Sequence, residues 1–167
     1  MDEIVNKVAN SKLMVFDLED YFPKEEVCSL DIAQFLLEGF ILKEKEFRDQ
    51  LNNFNWEQFD NKYIAIYCST EAILPAWTFA LVSSYLHSNS IAITQGTVKE
   101  MIVSIYIKKL ESLDFSVYNN LPVILKGCSK KNVPQEIYVL ATQKLIPFAK
   151  SIMFGEACSA VPLFKRK

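Results

Sequence analysis

Residues 62–95 open with the stretch that decides the fold, Tyr63-Ile-Ala-Ile-Tyr-Cys-Ser69, and its pattern returns within residues 121–156. Each copy has a short apolar run, a Cys-Ser pair, a proline, a longer apolar run and a Ser-Ile pair. The copies are offset by 59 residues at the prolines, 60 at the Cys-Ser pairs and 61 at the Ser-Ile pairs. Because an internal repeat fixes an architecture, we predict a duplicated strand–loop–helix–strand unit.

The apolar runs alternate with helical patterns, which predicts an α/β fold with a mostly parallel sheet and helices on both faces. Pro75 and Pro134 are expected at the first position of a helix. No linker interrupts the pattern, so residues 1–167 are predicted to form a single α/β domain with repeat units 59–96 and 118–156. Strands are predicted over 13–16, 63–67, 90–94, 121–126, 151–154 and 161–165, and helices over 2–9, 32–38, 42–54, 76–86, 98–110 and 134–150.

Composition limits the possible partners and the compartment. Half of the 167 residues are hydrophobic, which is enough for a large core, and the net charge of −2 argues against nucleic-acid binding. The basic residues 165–167 are interpreted as a solvated end. There is no signal-peptide pattern and no run of about 18 apolar residues, so we expect a cytoplasmic protein without a membrane span. Its four cysteines are then expected to be reduced thiols.

Three of the cysteines are predicted to gather at one edge of the sheet. Ligands of parallel sheets bind beyond the carboxyl ends of the strands. The repeat places Cys68 and Cys128 there, and Cys158 follows the strand over 151–154. His87, the one histidine, ends the helix that runs back across the sheet, so it is excluded as a metal ligand or catalytic base. Cys68, Cys128 and Cys158 are therefore the candidate metal ligands.

Other interpretations stay open beside this one. A free cysteine is often a small hydrophobic residue of the core, and Cys28, which has no partner in the repeat, is interpreted as incidental. Three carboxylates, Asp17, Glu19 and Asp20, form either a cation site or a solvated turn with helix-cap duties. The helix starts after the Cys-Ser pairs are alternatively places to bind an anion or to lower a thiol pKa.

Four segments carry a resemblance to a known family: residues 17–23, 39–45, 126–128 and, above all, Lys150-Ser-Ile-Met-Phe-Gly-Glu-Ala-Cys-Ser-Ala-Val-Pro162. Nearly end to end, the chain resembles the bacterial domain of unknown function 2480 family. The resemblance implies a small single-domain protein without an assigned activity, with genes beside the sulfur-mobilisation machinery of iron–sulfur cluster assembly. It matches Cys68, Cys128 and Cys158 without giving them a role. Ala157 and Ala160 stand where the usual signature has Pro and Thr.

Three functions are carried forward. The first is an accessory protein of unassigned activity that holds zinc or an iron–sulfur cluster through the three thiolates and supports iron–sulfur assembly proteins. Water, Glu156 or a partner would complete such a site. The second is a thiol-based enzyme or persulfide acceptor, and the third is a protein-interaction module with structural cysteines. Substrate, strand order and oligomeric state are left open by the sequence.

Overall fold

The computed structural model describes residues 13–127, 130–156 and 159–167. Helices and strands interleave, which confirms the predicted α/β class. The strands are β1 (Met14–Asp17), β2 (Val27–Asp31), β3 (Tyr63–Tyr67), β4 (Ala92–Gln95), β5 (Pro122–Lys126), β6 (Ser151–Glu156) and β7 (Ser159–Lys165). The α-helices are α1 (Glu44–Asn53), α2 (Ala76–Leu86), α3 (Val98–Ser112) and α4 (Gln135–Leu145). Short 3-10 helices cover Leu18–Tyr21, Ile32–Phe35, Glu57–Phe59 and Phe115–Tyr118.

The described strands form two sheets, whereas the sequence predicted one. The orders are β2-β3-β4 and β1-β5-β6-β7, and every pair is parallel except β6 with β7. The chain correspondingly divides into two compact units. We call residues 23–105 the inner unit, and residues 1–22 with 106–167 the outer unit, because the first lies within the second in sequence. That the chain forms a single domain stays a prediction.

Helices cover both faces of the inner unit's sheet. Side chains of a strand alternate between the two faces. Ile64 and Ile66 of β3 are fully buried in a cluster with residues of α1 and α2 such as Phe47 and Val82. Ala65 of β3 packs instead with Met101 and Ile105 at the start of α3. Full burial of each isoleucine contributes about 1.5–3 kcal/mol, so β3 anchors both layers.

The outer unit is organised around β5. Val123, Ile124 and Leu125 are all buried, as expected for a central strand that is covered on both faces. Tyr106 of α3 is also buried, and its hydroxyl donates a hydrogen bond to the Leu18 carbonyl oxygen at 2.8 Å. Burial is the main cause that raises the pKa of Tyr106 far above its usual value, so this phenol stays protonated.

The repeat extends further than the sequence indicated. In both units the order strand, 3-10 helix, α-helix, 3-10 helix, strand, α-helix, strand recurs; the first α-helix of the outer unit is α3, whose residues 98–105 belong to the inner unit, and β7 is an additional strand. From β3 to β5, from α2 to α4 and from β4 to β6 the starting residues differ by a constant 59. Ser151 therefore corresponds to Ala92, since these residues pair with Pro122 and Tyr63 respectively. The alignment of the two Ser-Ile pairs at an offset of 61 is thus wrong.

Several predicted bounds are corrected. Strand β2 had not been predicted, the helix expected over 32–38 is the 3-10 helix Ile32–Phe35, and α4 ends at Leu145. Pro75 and Pro134 do begin helices, but as N-caps one residue before the first helical position. Residues 165–167 are exposed, as interpreted, and the Arg166 guanidinium also donates to the carbonyl oxygens of Ile146 and Pro147. The helix predicted over 2–9 lies outside the described residues.

Within the part of the chain that the structure describes, no helix is both long enough and apolar enough to span a membrane.

We predict that Asp31→Asn destabilises the protein by about 0.5–1.5 kcal/mol near neutral pH, because a neutral amide oxygen accepts weaker hydrogen bonds than a carboxylate. One oxygen of Asp31, Oδ1, accepts the N–H groups of Ala33 and Ser69, both at 3.0 Å. Burial raises the pKa of Asp31, but hydrogen bonds from the Ser69 side chain and from these two N–H groups outweigh it, so the pKa is lowered.

The sign of the pH dependence follows from this lowered pKa. The stabilisation is present above the unfolded-state pKa of about 3.9 and is lost as the pH falls through the lower folded-state value. Urea unfolding at about pH 6 and about pH 3 should therefore show a larger wild-type advantage at the higher pH. Glu111→Gln, at an exposed position of α3, is the control. An Asp31→Asn deficit of equal size at both pH values would contradict the prediction.

Candidate functional site

The structure places only one of the three predicted metal ligands. Cys68 directly follows the carboxyl end of β3 in the inner unit and is half-buried. Cys128 and Cys158 lie outside the described residues; in sequence they belong to the outer unit, just after β5 and β6. Because β5 and β6 are parallel neighbours, the chain leaves both strands at the same edge of the sheet. The three-thiol site stays a prediction.

Charged side chains occupy this edge of the outer unit. Asp17, Lys126 and Glu156 end the three neighbouring parallel strands β1, β5 and β6. The Lys126 Nζ lies 3.4 Å from Asp17 Oδ2 and 3.5 Å from Glu156 Oε1. The hydrogen bond to Asp17, with the charges of Glu156 and Asp17, raises the pKa of Lys126. This trio is partly exposed, so solvent weakens its ion pairs, and it carries a net charge of −1.

The acidic turn after β1 has structural duties. Asp17 Oδ1 accepts the Glu19 N–H at 3.0 Å and so caps the 3-10 helix Leu18–Tyr21. Glu19 Oε1 in turn accepts the N–H groups of Lys130 at 2.7 Å and Lys131 at 3.3 Å. The acidic turn therefore caps a helix, which is one of its two interpretations. Through Glu19 it also binds the backbone of Lys130 and Lys131, which follow β5. Among the described residues no group of three or more His, Cys, Asp or Glu could hold a metal ion.

Gly127 is fixed between β5 and the residues that follow. Its carbonyl oxygen accepts a hydrogen bond from the Tyr138 hydroxyl at 2.7 Å. Its φ of +145° suits glycine, and an added Cβ would lie 2.7 Å from Leu18 Cβ. Together with the bonds from Glu19, these contacts anchor the described residues on both sides of positions 128–129.

At the corresponding edge of the inner unit, the thiol of Cys68 bonds to a neutral group, while the Asp31 carboxylate accepts the N–H of the next residue, Ser69. The Cys68 Sγ lies 3.3 Å from Thr70 Oγ1, and the Thr70 hydroxyl donates to the Gly39 carbonyl oxygen at 2.7 Å. Since the single hydroxyl hydrogen is used there, the Cys68 thiol is the donor to Thr70. Binding of a metal ion by Cys68 would have to break this hydrogen bond.

Cys28 and His87 lie apart from Cys68, as predicted. Cys28 packs against the core of the inner unit from β2. Its pKa is raised first by burial and then by the charge of Glu26, against a lowering effect of Lys62. His87 caps the carboxyl end of α2. The backbone carbonyl oxygen of Asn89, two residues after His87, accepts the N–H of Asn61. Because Asn61 precedes β3 and Cys68 follows it, His87 and Cys68 lie at opposite ends of that strand.

Sequence reasoning named Asp17 and Glu156 but missed Lys126, which pairs with both at the charged edge. Lys126 ends an otherwise apolar strand, Pro122-Val-Ile-Leu-Lys126, and Glu156 ends the next strand of the same sheet. A charged residue at the end of an otherwise apolar strand was the sequence signal that could have indicated this edge. The role of Tyr138 had no such signal, because its hydroxyl reaches Gly127 only through the packing of α4.

The fold and the residues at the strand ends together define the class of protein. It is an α/β protein in which polar residues and cysteines stand at or just after the carboxyl ends of parallel strands. The family described as "Protein of unknown function (DUF2480)" matches residues 2–166, and the chain belongs to this family, in agreement with the resemblance. Comparison with curated proteins and with solved structures gave no match.

We predict that Gly127→Ala destabilises the protein by at least about 1–3 kcal/mol. The new Cβ would combine an unfavourable backbone conformation with the contact to Leu18. Gly39→Ala is the matched control, because its φ of +81° imposes backbone strain while the nearest atom, Thr70 Cγ2, is 3.9 Å away. Thermal unfolding should show the larger loss for Gly127→Ala, and equal losses would contradict this account of the glycine.

Proposed function

We propose that the protein is an accessory protein that acts in the cytoplasm and holds a metal ion or an iron–sulfur cluster through cysteine thiolates. The observation that supports this most is the contact of Lys126 with Glu156 at 3.5 Å. It joins the ends of β5 and β6 two residues before Cys128 and two residues before Cys158. The proposed ligand set begins with these two thiols, and Cys68 is the third.

Strand spacing is compatible with a shared metal. Neighbouring strands lie about 4.8 Å apart. Zinc–thiolate bonds of about 2.3 Å require sulfur atoms within roughly 4 Å of each other. Two chain segments that leave neighbouring strands can meet this requirement with a small displacement, whereas next-but-one strands, about 10 Å apart, cannot.

The charges of the outer unit's edge favour metal binding over a reactive thiol. A thiol pKa is lowered by nearby cations or by a helix start, and it is raised by nearby carboxylates. The described charged side chains here are Asp17, Glu19, Asp20 and Glu156 against Lys126, Lys130 and Lys131. The sum is not positive, so an isolated thiolate gains little, whereas thiolates that bind a metal cation are compensated by it.

The choice between zinc and a cluster, and the link to iron–sulfur assembly proteins, belong to the same proposal. Thiolates suit both zinc and iron–sulfur clusters. The link to assembly proteins rests on the gene neighbourhood that the family resemblance implies, which is support by association. A site with three protein thiolates would keep a fourth position open for water, for Glu156 or for a group of the partner.

Anaerobic reconstitution tests the proposal. The full chain is incubated with iron and sulfide, or with zinc, desalted, and measured by metal analysis and visible absorption. Because even outer-shell partners are typically worth 10–100-fold in metal affinity, loss of a ligand thiolate should weaken binding at least about tenfold. Cys128→Ser and Cys158→Ser should each do so, and Cys68→Ser should as well if its thiol is the third ligand.

Cys28→Ser is the matched control, because its side chain packs on the core of the inner unit, and it should leave metal content unchanged. One fast-reacting thiol without bound metal would replace the proposal by the thiol enzyme or persulfide acceptor. Slow reaction of all four thiols without bound metal would replace it by the interaction module.

A further inference from the structure

The inner unit carries an exposed apolar groove of about 470 Å³. Its walls are the turn before α1 and the loop between β3 and α2. The groove is lined by the side chains of Phe40, Ile41, Leu42, Ile73 and Pro75, with the carboxylate of Glu71 among them. Apolar walls around one charged group are typical of sites that take up an apolar side chain.

The exposure of these walls is high. Ile73 is 96% exposed, Phe40 53% and Ile41 40%. Single exposed apolar residues are ordinary, but a contiguous apolar patch marks a contact surface. Each Å² of apolar surface removed from water contributes about 25 cal/mol, so binding of an apolar group in this groove would be favourable in free energy.

Hydrogen bonds hold the groove in shape. Leu37 and Ile41 exchange backbone N–H···O bonds of 2.9 and 3.0 Å across a tight turn, in which Gly39 has a φ of +81°. The Thr70 hydroxyl ties that turn to the loop after β3 through the Gly39 carbonyl oxygen. A preformed groove loses little conformational entropy when it is filled.

The charges around the groove specify the partner. On the adjoining helix α1 and its N-cap, Lys43 pairs with Glu46 at 3.4 Å and Arg48 with Glu44 at 3.0 Å. Glu38 at the turn and Glu71 in the groove make no ion pair among the described residues. Two such carboxylates beside an apolar surface complement lysine or arginine next to an apolar side chain.

We propose that this groove binds a short segment of a partner protein in which aliphatic or aromatic side chains are flanked by lysine or arginine. A second copy of this chain fits less well, because a two-fold contact would bring Glu38 and Glu71 of both copies together. An anionic membrane surface would be repelled by the same carboxylates. Thr70 contacts both the Cys68 thiol and the turn of the groove, so the bound segment lies beside that thiol.

The probe for the test is the synthetic peptide Lys-Leu-Phe-Leu-Lys with blocked ends, titrated into the ¹⁵N-labelled full chain. We expect amide shifts at Phe40, Ile41 and Ile73. The matched peptides Glu-Leu-Phe-Leu-Glu and Lys-Ser-Ser-Ser-Lys should bind at least about tenfold more weakly, because one lacks the charges and the other the apolar surface.

Variants make the test specific. Ile73→Ser removes an exposed side chain without opening the core and should weaken binding about tenfold. Glu71→Lys should remove the preference for lysine-flanked over glutamate-flanked peptides, because Glu38 and the new lysine then balance each other. Val139→Ser is the control, since Val139 is 61% exposed on α4 in the outer unit and should not affect binding.

Four results would overturn the proposal. They are equal binding of the glutamate-flanked peptide, absence of binding at about 1 mM, shifts confined to residues outside the groove, and insensitivity of binding to Ile73→Ser. Dimerisation that Ile73→Ser abolishes, measured by sedimentation, would assign the groove to a second copy instead. Binding to phosphatidylserine vesicles that Ile73→Ser abolishes would assign it to a membrane surface.

Discussion

One aspartate at the end of the first strand of each unit ties three segments of that unit together. Asp31 accepts the N–H of Ala33 in the following 3-10 helix and the N–H of Ser69 just beyond the neighbouring strand β3. Asp17 accepts the N–H of Glu19 in the same way and pairs with Lys126 at the end of the neighbouring strand β5. In both units a carboxylate therefore sets where the chain turns after the first strand and fixes the neighbouring strand end beside it.

This shared frame carries different chemistry in the two units. The constant offset of 59 residues matches Tyr67 with Lys126 and Cys68 with Gly127. The inner unit has the Asp31 carboxylate at this edge, with a hydrogen-bonded thiol next to an apolar groove. The outer unit has an ion-paired edge with a glycine where its counterpart has a thiol. The same frame therefore presents different side chains at the strand ends of its two copies.

The sequence predicted what depends on local pattern. The bounds of β3 and α2 agree with those expected over 63–67 and 76–86, because a continuous apolar run and a proline-started apolar helix are local signals. Strand β2 was missed because Val27-Cys-Ser-Leu-Asp31 is a short edge strand with polar residues and no long apolar run. Strand partners depend on contacts distant in sequence, so periodicity alone did not separate two sheets from one. The alignment of the two Ser-Ile pairs was wrong because it rested on two identical residues, whereas the pairing of neighbouring strands matches Ser151 with Ala92.

The backbone of Gly127 explains why the cysteines of the repeat are offset by 60 residues when the elements around them are offset by 59. Cys68 is absent from the residues with positive φ, so its position accepts a side chain. At the matching position, a φ of +145° and the approach of Leu18 leave room only for glycine. A thiol in the outer unit can therefore first occur one residue later, where Cys128 stands in the sequence. Cys68 and Cys128 thus do not hold equivalent positions of the repeat, and a role for Cys128 has to be argued from its neighbours Lys126, Gly127 and Glu19.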